Sequence, residues 1–231
     1  RRDYIERCVA ALEAGKGENV GGVWDIQPGG SGWVARSIAA AAAHPLGVGD
    51  AHYRYTDQAR FVDTVPFGSY QKILIERVGP YDETLLANED YEFNVRVRQS
   101  GGRVWLDPAI CSTYFARSSL PSLARQYWRY GFWKVRMLKR YPETIRWRQV
   151  VPPVFVFSLL VLALLAIVFT LARWLLLAEL GVYIFVLFLT GILLAVCKRD
   201  VSLILGVPLA VATMHLSWGS AFLYSLLNHE S

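Results

Sequence analysis

The chain has 231 residues, of which 54% are hydrophobic and only 19% are charged, with a mean hydropathy of +0.28. Soluble domains average about 45–50% apolar and about 25% charged residues, so this composition excludes a disordered protein and is too apolar for an ordinary soluble domain. Residues 1–150 carry the whole net charge of +5, whereas the last 81 residues contain only three cations and three anions. The sequence therefore predicts a polar part followed by an apolar part.

The polar part has the alternating pattern of an α/β domain. Its predicted helices, in chain order, cover residues 3–14, 33–43, 71–78, 89–100 and 118–141, and its predicted strands cover 19–26, 61–66, 103–106 and 110–115. Asp107-Pro108 is expected to separate the last two strands. The sequence begins inside a helical pattern without an initiator Met, so we expect it to be a fragment of a longer chain.

Three apolar stretches fill the rest of the chain, at residues 151–172, 174–197 and 201–227. Each exceeds the roughly 20 residues that cross the hydrocarbon core of a bilayer, which predicts a C-terminal bundle of three transmembrane helices. The first two abut at Arg173, so the first span is expected to end near Thr170 and the second to begin near Leu177. Basic residues before the first span and at Lys198 and Arg199 place the polar part in the cytoplasm. A third crossing would then leave the chain end outside.

The first candidate site is the sequence Asn88-Glu89-Asp90. If Asn88 is the N-cap, both carboxylates lie in the first helical turn, where the helix dipole favours anions. Asp90 is then expected to share the buried face of Phe93 and Val97 and to point into the domain, as a general base must to meet a substrate hydroxyl. Acids are also common in first turns for stability alone, and spacing does not separate the two interpretations.

The second candidate site is one face of the long helix at 118–141, formed by Gln126, Arg129, Tyr130 and Trp133. A guanidinium group matches the oxygens of a diphosphate, and aromatic rings suit the apolar face of a sugar. The alternative is a basic amphipathic helix on the membrane surface, because residues 117–148 carry a net charge of +8. The two interpretations are compatible. Anionic lipid, rather than nucleic acid, is the expected partner of this charge, since no nucleic-acid recognition motif accompanies it.

Several segments together resemble one family. In chain order they are Asn19–Gly22, Gly47–Gly49, Val62–Gly68, Asn88–Glu92, Trp105–Pro108, Gln126–Gly131 and Ala212–Gly219. In their order and spacing, the chain resembles the C-terminal two-thirds of a bacterial membrane-anchored family 2 glycosyltransferase of the succinoglycan-biosynthesis type. The resemblance implies a partial GT-A nucleotide-diphospho-sugar transferase fold, followed by the membrane helices, and an inverting transfer of sugar from a nucleotide-diphosphate donor.

The resemblance also implies roles for individual residues. Asp90 aligns with the general base of the family's Glu-Asp motif, with Glu89 beside it at the substrate. Gln126, Arg129 and Tyr130 align with its Gln-x-x-Arg-Trp motif, in which Tyr130 replaces the usual Trp. Arg129 would bind the donor diphosphate, and Tyr130 would stack on the acceptor. Trp133, on the same helix face, is included among the expected substrate-binding residues.

The family's Asp-x-Asp motif, which binds the nucleotide and a divalent metal, should precede the opening helix. The main ligands of Mg²⁺ or Mn²⁺ are therefore expected in a missing N-terminal part, no metal ligand is assigned within this chain, and the fragment alone is expected to be inactive. The implied organisation is the end of a catalytic domain at 1–116, an interfacial region at 117–150 and a membrane domain at 151–231.

The expected partners are a nucleotide sugar, a lipid-linked saccharide acceptor and membrane lipids, at the cytoplasmic face of a bacterial inner membrane. The product would be an exopolysaccharide or a cell-envelope glycan. The alternative is a non-catalytic membrane-anchored scaffold or binding domain.

Overall fold

A computed structural model describes residues 2–228, which form two compact units. The first unit contains the residues up to 27 together with 43–114, and the second contains 28–42 together with the residues from 115 onward. In chain order the helices and strands are α1 (Tyr4–Glu13), β1 (Asn19–Gln27), α2 (Trp33–Ala42), α3 (Pro45–Val48), β2 (Arg60–Phe61), β3 (Ser69–Tyr70), α4 (Lys72–Val78), α5 (Glu89–Gln99), β4 (Val104–Phe115), α6 (Leu120–Arg140), α7 (Trp147–Leu165), α8 (Thr170–Lys198) and α9 (Leu203–Leu227), with single 3-10 turns at His52–Arg54 and Pro142–Thr144.

The first unit is a mixed α/β domain, as its alternating pattern predicts. Its four strands form one sheet in the order β2-β4-β1-β3. The outer strands are short and antiparallel to their neighbours, with Asn19 opposite Tyr70 and Arg60 opposite Leu106. Phe93 and Val97 of α5 are fully buried in the core that lies on β4. The site residues of α5 are therefore carried by a helix whose inner face is fixed to the sheet.

Two strand predictions are wrong in detail. The segment 61–66 is extended but pairs in the sheet only at its start, because the strand β2 ends at Phe61. Beyond that point Asp63, Thr64 and Val65 are buried, and Thr64 accepts a side-chain hydrogen bond instead of joining a ladder. In contrast, β4 continues through Pro108, where the Asp107 carboxylate accepts a hydrogen bond from the backbone N–H of Ala109 at 2.9 Å. This local bond supports the strand where proline cannot donate.

The second unit contains the three apolar helices α7, α8 and α9, each long and apolar enough to cross a membrane. The predicted connection near Arg173 lies earlier, at residues 166–169, so that α8 begins at Thr170. Arg173 lies in the first turn of α8, and its guanidinium group donates to the carbonyl groups of Ala166 and Ile167 at the end of α7. A cation there satisfies carbonyl groups that the helix end leaves unpaired.

The helix α2 belongs to the second unit, although the predicted boundary at residue 116 would place it with the catalytic part. Its alanine-rich sequence is buried from Ser37 to Ala42, and it packs against α9. A Cβ atom built at Gly206 of α9 would lie 1.9 Å from the Ser37 hydroxyl oxygen, so the two helices approach closely. The end of the predicted membrane domain, 229–231, lies outside the described residues.

Candidate functional site

The predicted carboxylate pair lies at the start of α5 in the first unit. Asn88 occupies the N-cap position with a positive φ of 70°, but its side chain makes no capping hydrogen bond. Glu89 and Asp90 follow in the first turn, and both are exposed. The prediction that Asp90 shares the burial of Phe93 and Val97 is therefore wrong. The core that covers those two residues does not extend over the first turn, which leaves the carboxylates accessible to a ligand.

Buried amides hold the backbone beneath Asp90. The Asn94 side chain, which is 1% exposed, donates to the carbonyl oxygen of Asp90 at 2.8 Å and to Thr64 Oγ1 at 3.1 Å. Its own oxygen accepts from Asn19 Nδ2 at 2.7 Å. A buried polar group without a partner would cost about 1–3 kcal/mol, so this chain of bonds favours one arrangement of α5 against the sheet. The Asp90 backbone is fixed while its carboxylate remains exposed.

An ion pair fixes the same helix to the end of α4. Glu92 is 2% exposed, and its two carboxylate oxygens accept from Arg96 Nε at 2.8 Å and Nη2 at 2.9 Å. The guanidinium group of Arg96 also donates to the carbonyl groups of Val78, Gly79 and Pro80, at the end of α4 and just after it. This bidentate geometry is the strong form of a carboxylate–guanidinium pair. Glu92 therefore serves the position of α5 and is not available to a substrate.

Tyr81 is a further residue of this region that the sequence did not indicate. Its ring stacks on Phe93 with 4.7 Å between centroids. Burial of the hydroxyl raises the pKa of Tyr81, and the hydroxyl of Tyr70 and the negative charges of Asp90 and Glu89 raise it further. Tyr81 therefore remains protonated beside the two carboxylates, where its hydroxyl is a hydrogen-bond donor. An aromatic residue after Gly79-Pro80 in a loop carries no periodic signal from which this could be predicted.

The second candidate set lies on α6, in the second unit. As the spacing predicts, Gln126 and Tyr130 are neighbours, and the amide of Gln126 donates to the Tyr130 hydroxyl at 2.8 Å. Arg117, which the prediction did not include, donates to Gln126 Oε1 at 3.1 Å and so orients the amide. The Tyr130 ring contacts Tyr127 edge to face. The polar end of this face is thus a connected group of side chains.

The other two members of the set differ from each other. Arg129 is exposed on α6, as a residue that binds an anion should be. The guanidinium group of Arg136 lies 4.7 Å from the centre of the Trp133 ring, so one face of this ring is already covered by a cation. Arg136 also lies over Phe132. Trp133 is therefore less suited than Tyr130 to stack on a sugar, a difference that helix spacing alone could not reveal.

The structure brings together Glu89 and Asp90 in the first unit, and separately Gln126 and Tyr130 in the second. It adds Asn94, Tyr81 and Arg117 to the residues that spacing selected. Among residues 2–228, no group of three or more His, Cys, Asp or Glu side chains could hold a metal ion. The resemblance places the main metal ligands upstream of these residues, so no metal ligand is assigned among them and no step of the reaction is assigned to a metal.

Comparisons with known proteins identify two relatives of the chain. It is 27% identical over 226 residues, which is 98% of its length, to the succinoglycan biosynthesis protein ExoA of Rhizobium meliloti (strain 1021). It is 30% identical over 113 residues, 48% of its length, to a dolichyl N-acetyl-alpha-D-glucosaminyl phosphate 3-beta-D-2,3-diacetamido-2,3-dideoxy-beta-D-glucuronosyltransferase of Methanococcus voltae. These similarities support a glycosyltransferase family. The α/β unit followed by apolar helices is consistent with a GT-A-like domain and membrane helices.

The matches cover 66% of the Rhizobium protein and 35% of the Methanococcus protein, so the chain spans less than two thirds of either relative. No family model matches the chain. No solved structure matches it either.

Proposed function

We propose that the protein containing this chain is an inverting glycosyltransferase of family 2. It moves a hexose-type sugar from a nucleotide-diphosphate donor to a lipid-linked or polysaccharide acceptor, at the cytoplasmic face of a bacterial inner membrane. The product belongs to an exopolysaccharide or another cell-envelope glycan. The observation that carries this proposal is the accessible carboxylate of Asp90 on a backbone that Asn94 holds from beneath.

In the proposed reaction, the Asp90 carboxylate accepts the proton of an acceptor hydroxyl. The hydroxyl oxygen forms a bond to the anomeric carbon of the donor sugar from the side opposite the diphosphate. The bond between that carbon and the diphosphate oxygen breaks, the electron pair leaves with the nucleoside diphosphate, and the configuration at carbon is inverted. General-base catalysis of this kind contributes about 10²–10⁴-fold to a rate.

The remaining candidate residues have supporting roles in this proposal. Glu89 contacts the substrate next to the base. Arg129 pairs with the departing diphosphate, because its planar guanidinium group matches two phosphate oxygens at once. Gln126 orients Tyr130, whose ring stacks on the acceptor, and Trp133 borders the same surface. Residues 1–116 then belong to the catalytic domain, 117–150 to an interfacial region, and 151–231 to the part that contacts lipid.

The test uses membranes that contain the complete protein, incubated with a panel of labelled nucleotide sugars and extracted for labelled lipid. We expect transfer from one donor, and a loss of about 10²–10⁴-fold in Asp90→Asn, as for removal of a general base. Glu76→Gln is the matched control, because Glu76 is an exposed carboxylate on α4 and loses the same charge. Limited proteolysis of each variant shows whether it is folded.

Two outcomes would contradict the proposal. If folded Asp90→Asn transferred sugar at the rate of Glu76→Gln, Asp90 would not be the base. If the complete protein transferred no sugar while both variants preserved glycan output in cells, the non-catalytic scaffold would be the better interpretation.

A further inference from the structure

The apolar helix α9 packs against the charged helix α6. At its C-terminal end, Ser225 Oγ donates to the Phe132 carbonyl oxygen of α6 at 3.0 Å, and Tyr224 contacts the ring of Trp128. Two turns earlier on α9, the carbonyl oxygen of Trp218 would lie 2.5 Å from a Cβ atom at Gly131 of α6. The two backbones therefore touch. At its N-terminal end, α9 packs on Ser37 of α2.

The helix α6 is too highly charged to cross a bilayer. Its cationic residues are Arg125, Arg129, Lys134, Arg136, Lys139 and Arg140. Each cation at the centre of a bilayer costs about 2.5–3.5 kcal/mol on insertion scales, so α6 belongs at the membrane surface. A helix that lies against α6 with backbone contact cannot be far from that surface.

Among the described residues, contacts join α9 to the hairpin of α7 and α8 between its base and about its middle, where Tyr183 reaches His215. In α7 the buried residues are Gln149, Pro152, Pro153 and Val156, all in the first half of the helix. In α8, apart from Ala172 in the first turn, they are Leu187, Thr190, Gly191 and Ala195, all in the second half. These two halves lie together, because α7 and α8 are consecutive and joined at their other ends. The other halves carry large exposed apolar residues, among them Phe157, Leu160, Leu164, Leu171, Trp174 and Leu175.

Contacts along α9 show how it passes the hairpin. Near its start, a Cβ atom at Gly191 would lie 2.8 Å from the Ile204 carbonyl oxygen, and His215 in its middle is 3.2 Å from the Tyr183 hydroxyl. Farther on, a Cβ atom at Gly219 would lie 2.5 Å from the carbonyl oxygen of Pro152, only five residues after α7 begins. If α9 ran beside α7 through the bilayer, Gly219, about two thirds of the way along α9, would lie near the end of α7. It contacts instead Pro152 and Val156, in the first half of α7.

Lengths support the same conclusion. At about 1.5 Å per residue, α8 extends about 43 Å and α7 about 28 Å, which suits a hairpin crossing a core of about 30 Å. The contact of Gly219 with Val156 lies about 14 Å from the start of α7 on the same scale. The part of α7 beyond Val156 is largely exposed. On this scale Gly219 lies within the half of the bilayer next to the start of α7.

We propose that α7 and α8 cross the membrane as a hairpin and that α9 does not cross, but lies obliquely in the leaflet next to α6. Its exposed residues Leu205, Leu209 and Leu216 contact lipid, at spacings that form one stripe of the helix. The buried side contacts α6 and α2. The end of α9 at Leu227 is then on the same side of the membrane as residues 141–146, whereas a three-span arrangement places it on the opposite side. This inference does not depend on the proposed reaction.

Cysteine labelling of the complete protein tests the arrangement. In a Cys197→Ala background, which removes the exposed native thiol, single cysteines are introduced at three exposed positions. Ile145→Cys marks the side of α6, Val168→Cys marks the tip of the hairpin, and Leu227→Cys reports on the end of α9. A membrane-impermeant maleimide is applied to spheroplasts and to inverted vesicles. The background variant, which retains the buried Cys8 and Cys111, measures labelling of native thiols.

We expect Leu227→Cys to react from the same side as Ile145→Cys and opposite to Val168→Cys. Reaction from the side of Val168→Cys would overturn the proposal. Where lipid shields residue 227 from the maleimide, a protease site inserted after Asn228 gives the decision. Cleavage by protease added on the side of Ile145→Cys supports an oblique α9, and cleavage from the opposite side establishes a third crossing.

Discussion

Each of the two units is held together internally by a different kind of contact. In the first unit, α5 is fixed by buried polar side chains, through the bonds from Asn94 and the ion pair of Glu92 and Arg96. In the second unit, helices meet where glycine allows close approach, to backbone atoms at Gly131, Gly191 and Gly219 and to the Ser37 side chain at Gly206. The helix that carries the candidate base is thus held by directional hydrogen bonds and an ion pair. The membrane region is held by the close packing of helices at glycine residues.

The difference follows from the surroundings of each unit. In water, burial of apolar surface drives folding, and buried polar groups then select one arrangement because they must be paired. Between helices in lipid, the hydrophobic drive is largely absent, and close packing at small residues provides the attraction. Loss of a polar partner should therefore damage the first unit most, and loss of a glycine the second.

The largest effect on stability is expected from Gly131→Leu. The Cβ atom would lie 2.5 Å from a backbone oxygen of α9, which cannot move without shifting the helix, so we expect a loss of about 3 kcal/mol or more. Gly181→Leu on α8 is the matched control, because a Cβ atom there meets nothing within 4 Å. Thermal unfolding of the purified protein in detergent measures both. Equal stability of the two variants would contradict the assigned contact between α6 and α9.

Glu92→Gln should have the next largest effect, about 2–3 kcal/mol, because Arg96 loses its charged partner while Glu92 is replaced by a buried amide. Denaturant unfolding followed by a probe in the first unit measures this loss. Glu76→Gln, at an exposed carboxylate on α4, should change stability by less than about 0.5 kcal/mol. If Glu92→Gln behaved like the control, the ion pair would not anchor α5.

Asn94→Ala should cost about 1–2 kcal/mol, because Asn19 Nδ2 loses its acceptor and Thr64 Oγ1 loses a donor. Transfer activity should also fall, since the Asp90 carbonyl group loses a bond that holds the first turn of α5. Hydrogen exchange at α5 and the rate of transfer are the two measurements. Gln71→Ala, at an exposed residue that makes no capping bond, is the control. Unchanged exchange at α5 would show that the amide network does not position Asp90.

The smallest effect is expected from Asp200→Asn in the second unit. The hydrogen bonds from Arg36 and Ser202 lower the pKa of Asp200 to about 2, below the usual value of about 4 for a free Asp. A lowered pKa stabilises the folded state above pH 4, and this contribution disappears as the pH falls toward 2. The variant should thus be slightly less stable than the native protein at pH 7, and the difference should shrink as the pH falls from about 4 through 2. Thermal unfolding across this range measures the difference, with Asp57→Asn as the charge-matched control.

A gap between Asp200→Asn and the native protein that persisted unchanged to pH 2 would contradict this assignment. The ion pair of Arg36 and Asp200 is accessible to solvent, so salt should also reduce the difference.

Much of the local structure could be predicted because it depends on neighbouring residues. Ser119 and Pro121 mark the start of α6, and the side chain of Ser119 accepts a hydrogen bond from the Ser122 backbone as a cap should. Helical spacing also placed Gln126 beside Tyr130. Where spacing failed, a distant residue decided the outcome. The exposure of Asp90 depends on how far the hydrophobic core extends. Whether a cation covers the Trp133 ring depends on the conformation of the Arg136 side chain.

The sequence by itself determined the division into a polar and an apolar part, the presence of three long apolar helices, and the residues worth testing. These follow from composition and periodicity, which depend on the order of residues alone. Only the tertiary structure decided that Asn94, Glu92 and Arg96 anchor the helix of Asp90, since hydrogen bonds need positions as well as residue types. It also decided that α9 packs against the charged helix α6. Hydropathy measures how apolar a helix is, but its neighbours determine where that helix can lie.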